Sequence, residues 1–138
     1  VAPHLFEQTY PADLASATAA RRAVAGLVRS LDRADVELDR LGQDAELVVS
    51  ELVANAVLHT GSEFRLVVDV DSRRVRIGVH DASEDLPVRR QAEALATSGR
   101  GMLIVEAVAA DWGVEELGEG KLVWAELALS DDNDLVSG

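Results

Sequence analysis

Between Asp44 and His59 the chain reads as one helix in which nearly every side chain is apolar, the exceptions being Glu46, Ser50, Glu51 and Asn55. A helix that is apolar almost all round has to be buried on most of its sides. It therefore needs neighbours, and the rest of the sequence supplies them. Before it, Leu14, Ala17, Val24, Leu27, Val28 and Leu31 recur at helical spacing with Arg21, Arg22 and Arg29 turned outward, and Asp13 follows Pro11-Ala12 as the expected N-cap. Gly42 is expected to break the chain between the two helices.

After the apolar helix the period changes from helical to alternating. Phe64–Val70 and Val75–His80 read as strands joined by the turn Asp71-Ser72-Arg73-Arg74. Residues 81–98 are polar and aperiodic and are expected to form a loop. A third helix runs from Met102 to Ala110, and a second hairpin, 111–117 and 121–129, closes across Gly118-Glu119-Gly120. Residues 3–10 form a short edge strand. Hairpins with helices grouped between them predict an α/β (α+β) fold: a two-layer sandwich whose mixed, mostly antiparallel sheet is covered on one face by helices. Strictly alternating βα units, which a doubly wound parallel sheet requires, are missing. Residues 1–138 are expected to be one domain, with a disordered acidic tail over about 130–138.

Charge and composition exclude several functions. The formal net charge is −12, which repels phosphate backbones and argues against direct nucleic-acid binding. No apolar run approaches the roughly 20 residues of a membrane span, and Val1-Ala2-Pro3-His4 has neither the basic nor the apolar segment of a signal peptide. There is no cysteine, which removes disulfides, thiolate metal sites and a cysteine nucleophile and fits a cytoplasmic location. Of the 13 basic residues only Lys121 is lysine; with many alanines, this points to GC-rich bacterial coding.

Three polar features stand out against this background. Glu51 and Asn55 lie one helical turn apart and project from the same face. Burying them without partners would cost several kcal/mol on transfer scales, roughly 2–7 for a polar group. Either Glu51 bonds a neighbouring helix and Asn55 a loop, or that face lines a cavity. Asp81 ends a strand as a turn residue, a cap, or an acceptor for a ligand amino group. Gly99-Arg100-Gly101 directly precedes a helix, where backbone N–H groups can approach an anion and the arginine adds a full charge.

In their order these features resemble a known superfamily. Glu51-Leu52-Val53-Ala54-Asn55-Ala56-Val57-Leu58-His59 is similar to the N-box of the GHKL (Bergerat-fold) ATPases, Asp81 stands where they carry their adenine-binding aspartate, and Gly99-Arg100-Gly101-Met102-Leu103-Ile104-Val105 resembles their second glycine box. The spacing, the shortness and the ending Gly120-Lys121-Leu122-Val123-Trp124-Ala125-Glu126-Leu127 look like the small single-domain branch, bacterial anti-sigma factor serine/threonine kinases and their ATP-binding relatives. The resemblance covers residues from about 5 to 129.

That resemblance implies a Bergerat-type fold binding ATP or ADP with Mg²⁺. Asn55 would hold the metal, Glu51 would be the general base, Asp81 would accept from the adenine amino group, and Gly99, Arg100, Gly101 and Met102 would hold the phosphates. It departs from the family at the first glycine box, where Ser83 and Asp85 occupy the glycine positions and should weaken nucleotide binding. The implied function is an anti-sigma factor kinase that sequesters a sigma factor and phosphorylates an anti-sigma factor antagonist protein. The alternative is a non-catalytic partner-binding module that keeps the fold. The strand Phe6 to Tyr10 offers an edge for homodimer pairing. His4 and His80 show no partners in the sequence, and Trp112 and Trp124 are expected in the core.

Overall fold

The computed structural model describes residues 5–34, 36–60, 63–82 and 101–129. The chain runs β1 (Phe6–Tyr10), α1 (Leu14–Arg29), α2 (Leu38–Thr60), β2 (Phe64–Val70), β3 (Arg74–Asp81), α3 (Gly101–Val108), β4 (Asp111–Glu116) and β5 (Lys121–Ala128). Most of the expected loop over 81–98 and the acidic tail lie outside the described residues.

Helix α1 starts where the sequence places it. Asp13 has extended backbone, and its carboxylate accepts from the Ser16 amide at 2.7 Å. That bond occupies one donor that a helix start leaves unpaired, and it holds the Asp13 carboxyl below its ordinary value. Ala20, Val24 and Val28 face inward and are fully buried.

Helix α2 corrects one expectation. It begins at Leu38 rather than Asp44 and runs straight through Gly42. The reason is packing: a Cβ at Gly42 would stand 2.7 Å from Arg29 Nε. The glycine lets the Arg29 side chain cross α2 and reach Glu46, with Nη1 donating to Oε2 at 3.1 Å. Gly42 therefore makes a close helix approach possible instead of ending a helix.

The sheet has the order β1-β2-β3-β5-β4, and every neighbouring pair is antiparallel. The β2–β3 turn is held by Asp71, whose Oδ1 accepts from the Arg73 and Arg74 amides at 2.7 and 2.8 Å. Strand alternation sends Val75, Ile77 and Val79 of β3, and Val123, Ala125 and Leu127 of β5, to the helix side. There they join Val48, Val49, Leu52 and Val53 of α2 in one core. The helices lie on that face alone, so the two-layer α/β sandwich with an antiparallel sheet is the observed architecture.

The opposite face of the sheet is polar and cross-linked. Arg65–Glu7, Arg76–Glu115 and Arg74–Glu126 form ion pairs at 2.9, 2.8 and 2.7 Å. Trp124 belongs to this face and not to the core, because it alternates with the buried Val123 and Ala125. Its ring lies over Gly113, where a Cβ would meet Cζ2 at 2.7 Å, and carries the Arg76 guanidinium 4.4 Å from its centre. Trp112, on β4, packs against the core as expected.

Candidate functional site

The centre of α2 carries two polar residues whose surroundings do not satisfy them. Glu51 and Asn55 are both partly buried. The Asn55 Nδ2 atom is fully enclosed and has no hydrogen-bond partner. No hydrogen bond or ion pair links the Glu51 side chain to another described residue, and burial pushes its carboxyl above the ordinary value of 4.5. The neighbouring Ser50 is by contrast engaged, accepting from Arg21 Nη1 at 3.4 Å. Of the two possibilities open at the sequence level, internal satisfaction finds no support among the described residues. A buried amide group without a partner costs about 1–3 kcal/mol, and its persistence calls for an explanation such as a ligand.

At the end of β3 the situation is reversed. Asp81 is 2% exposed and accepts at Oδ1 from Lys121 Nζ at 2.9 Å; Lys121 is itself 1% exposed. The two residues are directly opposed in the β3–β5 register, and Phe64 opposes Asp81 on its β2 side. The approach of the two backbones depends on Gly120. At its φ of +91° a Cβ would fall 2.0 Å from the Asp81 carbonyl oxygen, a position only glycine can occupy. His80 also contacts this turn, with Nε2 3.2 Å from the Glu119 carbonyl oxygen, so it does have a partner.

The sequence singled out Asp81 but not its partner Lys121. The signal was present: Lys121 alternates with Val123, Ala125 and Leu127 and so belongs to the inward face. Lysine there requires a counter-charge, because buried charges occur paired.

The remaining predicted residues are placed less completely. Gly101 and Met102 open α3, and Gly99, Arg100, Ser83 and Asp85 lie outside the described residues. Helix α2 packs against α3, β3 and β5, the elements that carry Gly101 and Met102, Asp81, and Lys121. A cleft of about 570 Å³ lined by Leu31, Arg33, Val70 and Leu129 lies at the other end of the β2–β3 hairpin and contains none of these residues.

The arrangement is an amide nitrogen without a partner and a carboxyl of raised affinity for protons on one helix, which packs against the strand that ends in the buried Asp81 carboxylate. The Glu51 carboxyl can accept a proton, whereas the Asp81 carboxylate is enclosed with Lys121. Among the described residues no group of three His, Asp or Glu side chains could hold a metal ion, so a cation here would take most of its ligands from elsewhere. No described helix is long and apolar enough to cross a membrane.

Comparison with curated proteins finds no match. Comparison with protein families finds one over residues 10–127, nearly the whole of the sandwich, with the family described as histidine kinase-like ATPase domain. The antiparallel sheet, the helices on one face and the polar pair on α2 accord with that match, and the chain belongs to the histidine kinase-like ATPase domain family, a GHKL-related group.

Proposed function

We propose that this chain, as a single cytoplasmic domain, binds Mg-ATP and ADP and works as an anti-sigma factor serine/threonine kinase. It would sequester a sigma factor and phosphorylate an anti-sigma factor antagonist protein. The observation that carries the nucleotide reading is the enclosed, unpartnered amide nitrogen of Asn55, one turn from Glu51 on an otherwise apolar helix. An amide in that position suits a ligand that arrives from outside the fold.

Asn55 would offer its amide oxygen to the magnesium, a hard cation that takes oxygen ligands. The bound Mg-ATP brings the phosphoryl group to be transferred. Glu51, with its proton affinity raised by burial, would accept the proton of a seryl or threonyl hydroxyl. Asp81 would accept from the adenine amino group, and Gly99, Arg100, Gly101 and Met102 would hold the phosphates. Because Asp81 is enclosed, a base can reach it only as neighbouring side chains part. That cost, with Ser83 and Asp85 in the first glycine box, makes a modest affinity the expected one. The outer edge of β1, unpaired among the described residues, would serve a second copy of the chain, and the net charge of −12 would favour a partner with a basic face.

The test is transfer of label from ATP to candidate antagonist proteins. Glu51→Gln keeps the shape of the side chain but cannot take up the proton, so transfer should fall by about 10²–10⁴-fold with nucleotide affinity almost unchanged. Turnover like that of the unmodified chain in a folded Glu51→Gln variant would remove the catalytic role. Ser83 and Asp85 in the glycine positions of the first glycine box favour a second function in that event, a partner-binding module without phosphoryl transfer. Partner capture with no label transferred would support it.

A further inference from the structure

The cleft of about 570 Å³ at the Asp71 turn has no part in the functional reading above. Its floor is apolar: Leu31 lies just past α1, Val70 ends β2, and Leu129 follows β5 and is 3% exposed. Its rim is acidic, with the exposed Asp32 and Asp71 beside that floor. Neither carboxylate holds a cation among the described residues.

The two acids are set there in different ways. Asp71 Oδ1 accepts from the Arg73 and Arg74 amides, which fixes the direction of the carboxylate and holds its carboxyl below the ordinary value. Its other oxygen keeps its acceptor positions. Asp32 stands just beyond Arg29, at the negative end of the α1 dipole, where a carboxylate is disfavoured and a cation is favoured. The cations nearest in sequence are engaged elsewhere. Arg29 reaches Asp39 and Glu46 at 3.7 and 3.1 Å, and Arg33 Nη1 donates to the Ser72 carbonyl oxygen at 2.9 Å. The nine residues after Leu129 add three aspartates and no basic residue to a chain of net charge −12.

We propose that this cleft docks a basic segment of a partner protein, one lysine or arginine of which lays its methylene stem along Leu31, Val70 and Leu129 and sets its head group on the Asp32 and Asp71 carboxylates. Such stems cover apolar surface while the charged end stays at the wet rim, and apolar neighbours in the partner segment would fill the rest of the floor. The cleft lies at the Arg74 end of β3, opposite Asp81, so capture here needs no nucleotide and goes beyond the nucleotide reading.

Three acetylated hexapeptide amides are the probes: alternating leucine and lysine, alternating serine and lysine, and alternating leucine and glutamate. Each is titrated, without nucleotide and at physiological ionic strength, into the full chain labelled at its leucine and valine methyl groups, and NMR follows the shifts. The leucine–lysine peptide should move the Leu31, Val70 and Leu129 methyls most. The serine–lysine peptide should bind at least about fivefold more weakly, for want of apolar contact, and the glutamate peptide should not bind. Asp32→Lys should weaken the leucine–lysine peptide about tenfold, since an exposed attraction becomes a repulsion. Glu119→Lys makes the same change of charge at an exposed turn on the other end of the sheet and should alter binding by less than about twofold. Asp71 is kept, because it holds its own turn.

Equal affinity for the two lysine peptides, shifts centred on other methyls, or equal losses in the two variants would trace the attraction to the net charge of the chain and overturn the inference. So would the absence of any binding of the leucine–lysine peptide at millimolar concentration. The methyl shifts are read on the unmodified chain and decide even where a variant does not fold. Failure here leaves the nucleotide reading standing, and a chain that binds no ATP leaves the cleft standing.

Discussion

Two polar sites face the helix layer of this sheet, and they solve the cost of burial in opposite ways. Asp81 and Lys121 are enclosed and satisfy each other at 2.9 Å. Glu51 and Asn55 are only partly buried, and the Asn55 Nδ2 atom has no partner at all. A completed pair can be kept deep in the fold because each charge offsets the desolvation of the other. An incomplete one survives near the surface, where water or a ligand can finish it. Burial by itself is therefore a poor guide to function; what distinguishes the two sites is the state of their hydrogen bonds.

The sharpest way to break this comparison is to make the first site resemble the second. Lys121→Met leaves the buried carboxylate without its counter-charge and should cost about 3–5 kcal/mol in urea unfolding at neutral pH. Adding Asp81→Asn should recover most of that loss. A single substitution costing less than about 1 kcal/mol would mean that the pair is not a coupled buried unit.

A smaller effect is expected at the turn that closes over Asp81. Gly120→Ala introduces a side chain at φ +91°, against the Asp81 carbonyl oxygen. Backbone strain and the clash should together cost about 2–4 kcal/mol. Gly118 has φ +74° but open space around it, so Gly118→Ala should cost less. Equal losses at the two glycines would show that backbone conformation, and not the approach to Asp81, sets the requirement.

The smallest expected effect concerns the unsatisfied site and has a sign. Burial raises the Glu51 carboxyl above 4.5, so the folded chain binds this proton more tightly than the unfolded chain. The stability this confers is complete below 4.5 and is lost as pH rises through the folded value. Glu51→Gln removes the charge and should raise stability slightly at pH 7, an effect kept small by solvent screening of this partly exposed group and vanishing below the ordinary value. Thermal melts of both proteins across that range give the answer. A loss of stability at pH 7 would mean that Glu51 is tied into the structure as Asp81 is.

How much of this could be read beforehand differs from residue to residue. Glu51 and Asn55 were legible because polar residues one turn apart on an apolar helix violate a local pattern, and helical periodicity is itself local. Gly42 was misread because glycine that ends a helix and glycine that admits a neighbour look alike along the chain; the Arg29 side chain that needs the space comes from another helix. Trp124 was misread because a large aromatic residue suggests a core, whereas strand parity sends it to the far face beside Arg76.

By itself the sequence determined the layer architecture, the inward faces of the strands and the polar spots on them, because side-chain period and turn chemistry act over a few residues. Lys121 was marked as inward by that same parity. Only the tertiary structure decided that its charge meets Asp81, since the antiparallel register of β3 and β5 joins residues far apart in the chain. It alone also decided that the Asn55 amide nitrogen is left without a partner, because whether a buried donor is satisfied depends on every element packed around it and not on its neighbours in sequence.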